Sequence, residues 1–302
     1  METQAAPAVR EGALEEASRR RRPETLLMLV PAFLLLFFFF VVPYGYMIYV
    51  SFMTHAAART FVRTFTLHNY VEVIWDPYHW QVIWRTFGAA AVVTIVSLLL
   101  AYPVAYHLAR SRGQRQGLLL LAILSPLLVG VVIRSYGWMI LLYNTGLINT
   151  MLRQLGIIDK PLPLIYNMFG VGVGLLHIYM PFMILTITGT LQTIDPDLEL
   201  VARSLGAGPA ATFFKVIWPL SLPGVFAGTI LVFVQAVSAF AIPILLGGFR
   251  VITAPILVVQ TVIESFNWPL ASAMALVLFL LSVAVLGIYG KIMTRLMRGI
   301  AA

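Results

Sequence analysis

Side chains able to do chemistry are few in this chain of 302 residues, and they are widely spaced. There is no cysteine, which excludes thiol chemistry and disulfides. The histidines (His55, His68, His79, His107 and His177) never fall at the paired spacing that holds a metal ion. No phosphate-binding glycine loop and no nucleophile motif is present. Catalytic residues, a metal site and a cofactor are therefore not expected. A lone histidine in an apolar run, such as His177, is expected to be packed and hydrogen-bonded. The most informative polar stretch runs from Leu198 to Gly224, LELVARSLGAGPAATFFKVIWPLSLPG. It places Glu199, Arg203 and Ser204 ahead of Gly206, Gly208 and Pro209, and a second short segment, 210–217, ahead of Pro219 and Pro223. A helix–glycine–helix unit of this size between two apolar runs is larger than a connector needs and suits recognition by a partner.

The elements around that stretch belong to a membrane protein. Hydrophobic residues make up 60% of the chain, mean hydropathy is +0.92 and only 11% of residues are charged. A soluble domain carries about 25% charged residues. Six spans of about 20 residues fit the pattern, at 26–51, 85–108, 117–142, 165–190, 219–246 and 270–292. The net charge of +8 is then an orientation signal, and nucleic acid is not an expected partner; membrane lipid is. With the N-terminus inside, 13 of the 20 Lys and Arg lie on the cytoplasmic side, including Arg19 to Arg22, Arg110 and Arg203. This bias places both termini and the Leu198–Gly224 loop in the cytoplasm. Residues 1–25 read as a cytoplasmic, disordered leader, 26–292 as the membrane domain with a cytoplasmic loop at 191–218, and 293–302 as a cytoplasmic tail. The run Thr25–Met53 is too long for the apolar part of a signal peptide, and no small-residue cleavage site follows.

No Asp or Glu lies within the six spans, which argues against a self-powered ion-coupled carrier. Arg134, in VVIRSYGWMI, is the main intramembrane charge. Either it snorkels or pairs with a carbonyl, or it lines a pathway. Pro103, Pro126, Pro181, Pro219, Pro223 and Pro243 are expected to interrupt helices. Small residues of the last span, among them Ala271, Ala273, Gly287 and Gly290, would permit close helix packing.

The Leu198–Gly224 stretch resembles the cytoplasmic signature loop of permease subunits of binding-protein-dependent ABC importers. That family's pattern is Glu-Ala-Ala, three residues, Gly, nine residues, then Ile-x-Leu-Pro. Leu200-Val201-Ala202, Gly206 and Val216-Ile217-Trp218-Pro219 occupy those positions, with Leu200 where the family has Glu and Glu199 one place earlier. More narrowly, Thr66–Tyr70 (TLHNY), Tyr102–Tyr106 (YPVAY), Arg134–Trp138 (RSYGW) and Gly146–Asn149 (GLIN) make the layout similar to the B-type permeases of spermidine/putrescine importers.

The resemblance implies an all-α, six-helix integral membrane permease of the type I ABC importer class, in the inner membrane, that does not itself hydrolyse ATP. It implies that Glu199, Leu200, Val201, Ala202, Arg203, Gly206 and Ala207 form a helix docked on a cytoplasmic ATPase dimer, where Gly206 turns the backbone and the alanines allow close approach. A second permease subunit would complete the pore, and a periplasmic binding protein would deliver a polyamine or similar cation. For such a cargo, cation–π attraction and outer acids point to Trp138, Tyr143, Phe240 and Glu264. Arg134 would repel it and would suit an anion if it faces the pathway without a carboxylate. The alternatives are the same machinery with ferric iron, sulfate, an opine or a phosphonate, an ATP-independent carrier, or a membrane scaffold.

Overall fold

A computed structural model describes residues 30–31, 33–56 and 59–301. The expected leader, 1–25, lies outside the described residues. The helices are α1 (Phe33–Ser51), α2 (His68–Trp75), α3 (Pro77–Arg110), α4 (Gln114–Leu124), α5 (Val131–Leu142), α6 (Leu147–Gln154), α7 (Met168–Thr193), α8 (Asp197–Ser204), α9 (Pro209–Val237), α10 (Ala254–Ile263) and α11 (Trp268–Ala301). Between α1 and α2 an antiparallel hairpin pairs β1 (Met53–Ala56) with β2 (Arg59–Phe65).

Five helices, α1, α3, α7, α9 and α11, are unbroken and apolar enough to cross a membrane. Two further pairs are bent, by 96° between 114–128 and 131–154 and by 76° between 243–250 and 254–263. The six expected spans fall within the resulting range of five to seven, but two of them differ in form. The apolar run expected as one helix at 117–142 is α4, a 3₁₀ turn at Ser125–Leu128, extended Val129, then α5. The span expected at 219–246 begins earlier, at Pro209, passes a π-helical turn at Phe213–Ile217 and stops at Val237. Much of the expected polar loop is thus helix continuous with the membrane span. The outer segment expected as a loop at 247–269 contains α10.

The prolines also behave differently from expectation. Pro103, Pro181, Pro219 and Pro223 lie inside unbroken helices. Pro126 is in the 3₁₀ turn just before the first bend, and Pro243 starts the π-helical turn that leads to the second. Packed neighbours can hold a membrane helix together across one lost donor. At Pro126 and Pro243 the chain has left α-helical geometry.

The core is a three-helix unit of α3, α7 and α9. Buried Ala101, Ala105 and Leu108 of α3 meet Met183, Ile187 and Leu191 of α7 and Val225 and Val232 of α9. Helices α7 and α9 approach at Gly224 and Gly228, a GxxxG pair. A Cβ on Gly224 would collide with the Thr190 side chain, and one on Gly228 would lie 2.7 Å from Met183 Sδ. In α11, Ala273 packs with Val73 of α2 beside α10, while Gly287 faces open space. Further along, α11 meets α9 through Tyr289, which packs on Phe226 and shares a hydrogen bond with Thr229 Oγ1 at 2.7 Å.

Short motifs hold the connections. Asn69 of TLHNY is buried and donates Nδ2 to Ser51 O (2.8 Å) and Met53 O (2.9 Å), capping the exit of α1. Tyr70 Oη shares a hydrogen bond with Ser51 Oγ at 2.6 Å. Asn149 of GLIN donates to Tyr143 O and Leu162 O and accepts from Leu162 N. It closes the loop after α6 on the end of α5.

Candidate functional site: an interface helix and an intramembrane cluster

Helix α8 has Asp197 and Glu199 in its first turn and Arg203 in its last, agreeing with the helix dipole. It ends in a Schellman motif: Ala207 N–H bonds Ala202 O at 3.0 Å and Gly206 N–H bonds Arg203 O at 2.9 Å. Gly206 sits at φ +84°, the left-handed region that glycine enters without strain. A Cβ there would meet nothing within 4 Å, so the requirement comes from the backbone itself and not from a crowded neighbour. Gly208 then starts the next helix with Pro209 in its first turn, so the helix–glycine–helix reading holds.

The faces of α8 differ in chemistry. Leu198, Leu200 and Val201 are exposed, and Leu205 just beyond is 83% exposed, giving an apolar surface on a short polar helix. Ala202 and Ala207 are half-buried on the inner side, and Arg203 is exposed. Glu199 also points inward, with its side chain only 12% exposed. Arg110 at the end of α3 donates Nη2 (2.8 Å) and Nε (3.0 Å) to Glu199 Oε1, and Tyr106 Oη donates to Oε2 at 2.7 Å. The Arg110 Nη1 also reaches Ile194 O at 3.1 Å and Leu191 O at 3.4 Å, at the end of α7. One carboxylate and one guanidinium therefore tie α3, α7 and α8 together. Tyr102 Oη, a turn earlier on α3, bonds Ser221 Oγ of α9 at 2.7 Å and brings in the third core helix.

Of this network only Glu199 was expected to matter at the loop. Arg110 had counted only toward the charge bias, and Tyr106 had entered only as part of YPVAY. The available signal was the pairing of a basic residue at a helix end with an acid displaced by one position in the loop. Leu200, at the place of the family's Glu, is exposed and makes no polar side-chain contact.

The expected pathway residues are not gathered in one place. Arg134 and Trp138 share a face of α5 one turn apart. Trp138 meets the ring of His177 of α7 edge-on, at 5.6 Å. Arg134 thus stands one turn from the point where α5 meets α7. Tyr143 caps the end of α5, Phe240 lies in the break after α9, and Glu264 is exposed after α10. None of these three has an aromatic or polar side-chain contact with Arg134 or Trp138 among the described residues. His177 is packed as expected, but its Nδ1 is buried without a hydrogen-bond partner, contrary to expectation. Among the described residues no cluster of metal-ligating side chains exists.

Bent and proline-containing apolar helices around a GxxxG-packed core, with a short two-faced helix at one end, define a multi-pass membrane protein. The family model of the binding-protein-dependent transport system inner membrane component matches residues 24–298, and the chain belongs to that family. It is a multi-pass inner-membrane permease subunit. It is 32% identical over 249 residues to the spermidine/putrescine transport system permease protein PotB of Haemophilus influenzae, covering 82% of this chain and 87% of that one. The PotB protein of Escherichia coli is 31% identical over 245 residues, covering 81% and 89%. The molybdenum transport system permease protein ModB of Mycobacterium bovis is 31% identical over 201 residues, covering 67% and 74%. In fold, the chain is similar to a bacterial ABC transporter that imports the acidic polysaccharide alginate, with a TM-score of 0.76 at 13% identity, covering 94% of this chain and 99% of that one.

Proposed function

We propose that this permease subunit forms half of the pathway of an ATP-driven importer and takes a polyamine, or a similar small organic cation, from a periplasmic binding protein. A second, related permease completes the pore, and a cytoplasmic ATPase dimer binds α8. Both termini lie on the ATPase side, as the Lys and Arg bias favours. Residues 26–292 act as the permease domain and 191–218 as its coupling loop, between a leader at 1–25 and a tail at 293–302. The identity to two polyamine permeases supports the cargo.

The observation that carries the mechanism is the two-faced α8. Its apolar outer face, Leu198, Leu200, Val201 and Leu205, suits burial in a groove of the ATPase, with Arg203 at the rim. Its inner face is fastened through Glu199 to Arg110 and Tyr106. Closure of the ATPases then moves α8 as a rigid piece, and the links to α3 and α7 carry the displacement into the core. Gly206 and Ala207 hold the turn that sets the angle between α8 and α9. Further along, Trp138, Tyr143, Phe240 and Glu264 offer aromatic faces and one carboxylate to a cation.

A second reading, an anionic cargo, is favoured by Arg134, which has no ion-pair partner among the described residues. The identity to a molybdenum permease is compatible with it. Proteoliposomes holding both permeases and the ATPase, supplied with the binding protein, test both readings. Labelled spermidine is expected to accumulate only with ATP. Accumulation of sulfate or molybdate instead selects the second reading. ATP-independent uptake by this subunit alone would sink both.

A further inference from the structure

Arg134 is held in an unusual way. Its Nε and Nη1 are buried and have no hydrogen-bond partner among the described residues. On α7, His177, whose ring meets Trp138, has its Nδ1 buried without a partner among the described residues. The Tyr179 hydroxyl, whose ring packs between two core clusters, makes no hydrogen bond either. Arg134 and His177 thus leave unpartnered donors on the two helices, α5 and α7, that meet through Trp138, within the membrane part of the molecule. The described carboxylates lie elsewhere: Glu72 and Asp76 are near His68 and His79, Glu199 is on Arg110, and Asp159, Asp195, Asp197 and Glu264 are in connecting segments or at helix ends.

An unpaired guanidinium at membrane depth is costly. It is retained where it meets water in a cavity or an acceptor from another molecule, and it does not face lipid. We propose that Arg134, with His177 across the contact of α5 with α7, is a carboxylate-receiving site completed by an oxyanion that this chain does not supply. The carboxylate has two possible sources, an acidic side chain in a span of the second permease or the acidic group of an anionic cargo. The first source is compatible with a polyamine pathway, because it neutralises Arg134 and leaves the aromatic groups to the cation. This inference rests on the importer reading only in needing a second permease or a cargo.

The sign of one substitution tests it. If Arg134 were an orphan charge, Arg134→Met would relieve desolvation, and the assembled importer would melt at the same or a higher temperature. If an external carboxylate completes the site, the same substitution strands that carboxylate and the complex is destabilised. Thermal melting of the detergent-solubilised importer is measured for wild type, Arg134→Met and Arg134→Lys, with and without millimolar glutarate or sulfate. ATP-driven uptake is measured in parallel.

With the carboxylate on the second permease, the cargo-free Met variant melts lower than the Lys variant, and its uptake falls by about tenfold or more. With an anionic cargo, cargo-free melting is unchanged, but glutarate or sulfate raises the melting temperature of wild type and not of the Met variant. Failure of the Met variant to assemble while Lys assembles also supports the site. Melting at or above wild type in the Met variant, with no anion shifting wild type, overturns the proposal. Equal losses in Met and Lys overturn it too, because they indicate shape and not charge. If wild type itself takes up no solute with ATP while the melting series behaves as expected, the importer reading fails and the site stands.

Discussion

Breaking the Arg110–Glu199 pair should disconnect α8 from the core without unfolding the membrane helices. At 2.8 Å and an effective dielectric of about 20, the gross attraction between the two charges is about 6 kcal/mol. Desolvation offsets much of this, since the side chains are only 20% and 12% exposed. Removing one partner is expected to cost about 3 kcal/mol, the low end for buried pairs, because both groups still touch solvent. Arg110→Ala has a further effect, since it also frees Leu191 O and Ile194 O. Glu199→Gln is milder in shape, and Tyr106 can still donate to the amide oxygen.

The assay is a double-mutant cycle on melting of the assembled importer, with transport and ATP hydrolysis measured on the same samples. A coupling energy of about 2 kcal/mol between positions 110 and 199 is expected. Hydrolysis should persist while the transport achieved per ATP falls. The exchanged pair, Arg110→Glu with Glu199→Arg, should recover part of the coupling. A cycle that is additive within about 0.5 kcal/mol, together with a wild-type transport-to-hydrolysis ratio in Glu199→Gln, would refute the reasoning.

Substitutions at three other positions probe separate parts. Leu205→Asp, at a residue 83% exposed, should leave melting of the isolated permease unchanged and weaken its pull-down by the ATPase. Gly206→Ala, at φ +84° in open space, should cost about 1 kcal/mol in melting of the permease, and Gly206→Asn less. Asn69→Ala removes two buried bonds to the end of α1 and should cost about 1–3 kcal/mol. Its expected signature is faster hydrogen exchange at 51–56 with little change in α7.

Legibility in the sequence divided along physical lines. Apolar length and the charge bias brought out the membrane class and most spans, because the bilayer imposes a length on its helices. The Gly206 turn was legible because a helix C-terminus rewards glycine locally. The bend after Leu128 was not, because an apolar run has the same composition whether it is straight or folded back. The hairpin at 53–65 was hidden among aromatics that also fit an interfacial anchor. At the candidate site, Glu199 could be found from the loop, but its partner Arg110 lies 89 positions away. Only the packing of α3 on α7 brings the two together. GVFAG at 224–228 carried a close-approach signal, yet small residues drew attention to the last span, where Gly287 touches nothing.

The capped end of α1 bears on how the molecule is put together during synthesis. Val50 and Ser51 are the buried residues of its second half, Val42–Ser51, and the helix packs against α11. Among the described residues, the earliest helix of the chain thus packs against the last. Asn69, made soon afterwards, fastens only its outgoing end. The seam between α1 and α11 therefore cannot close before all of the chain between them has been made.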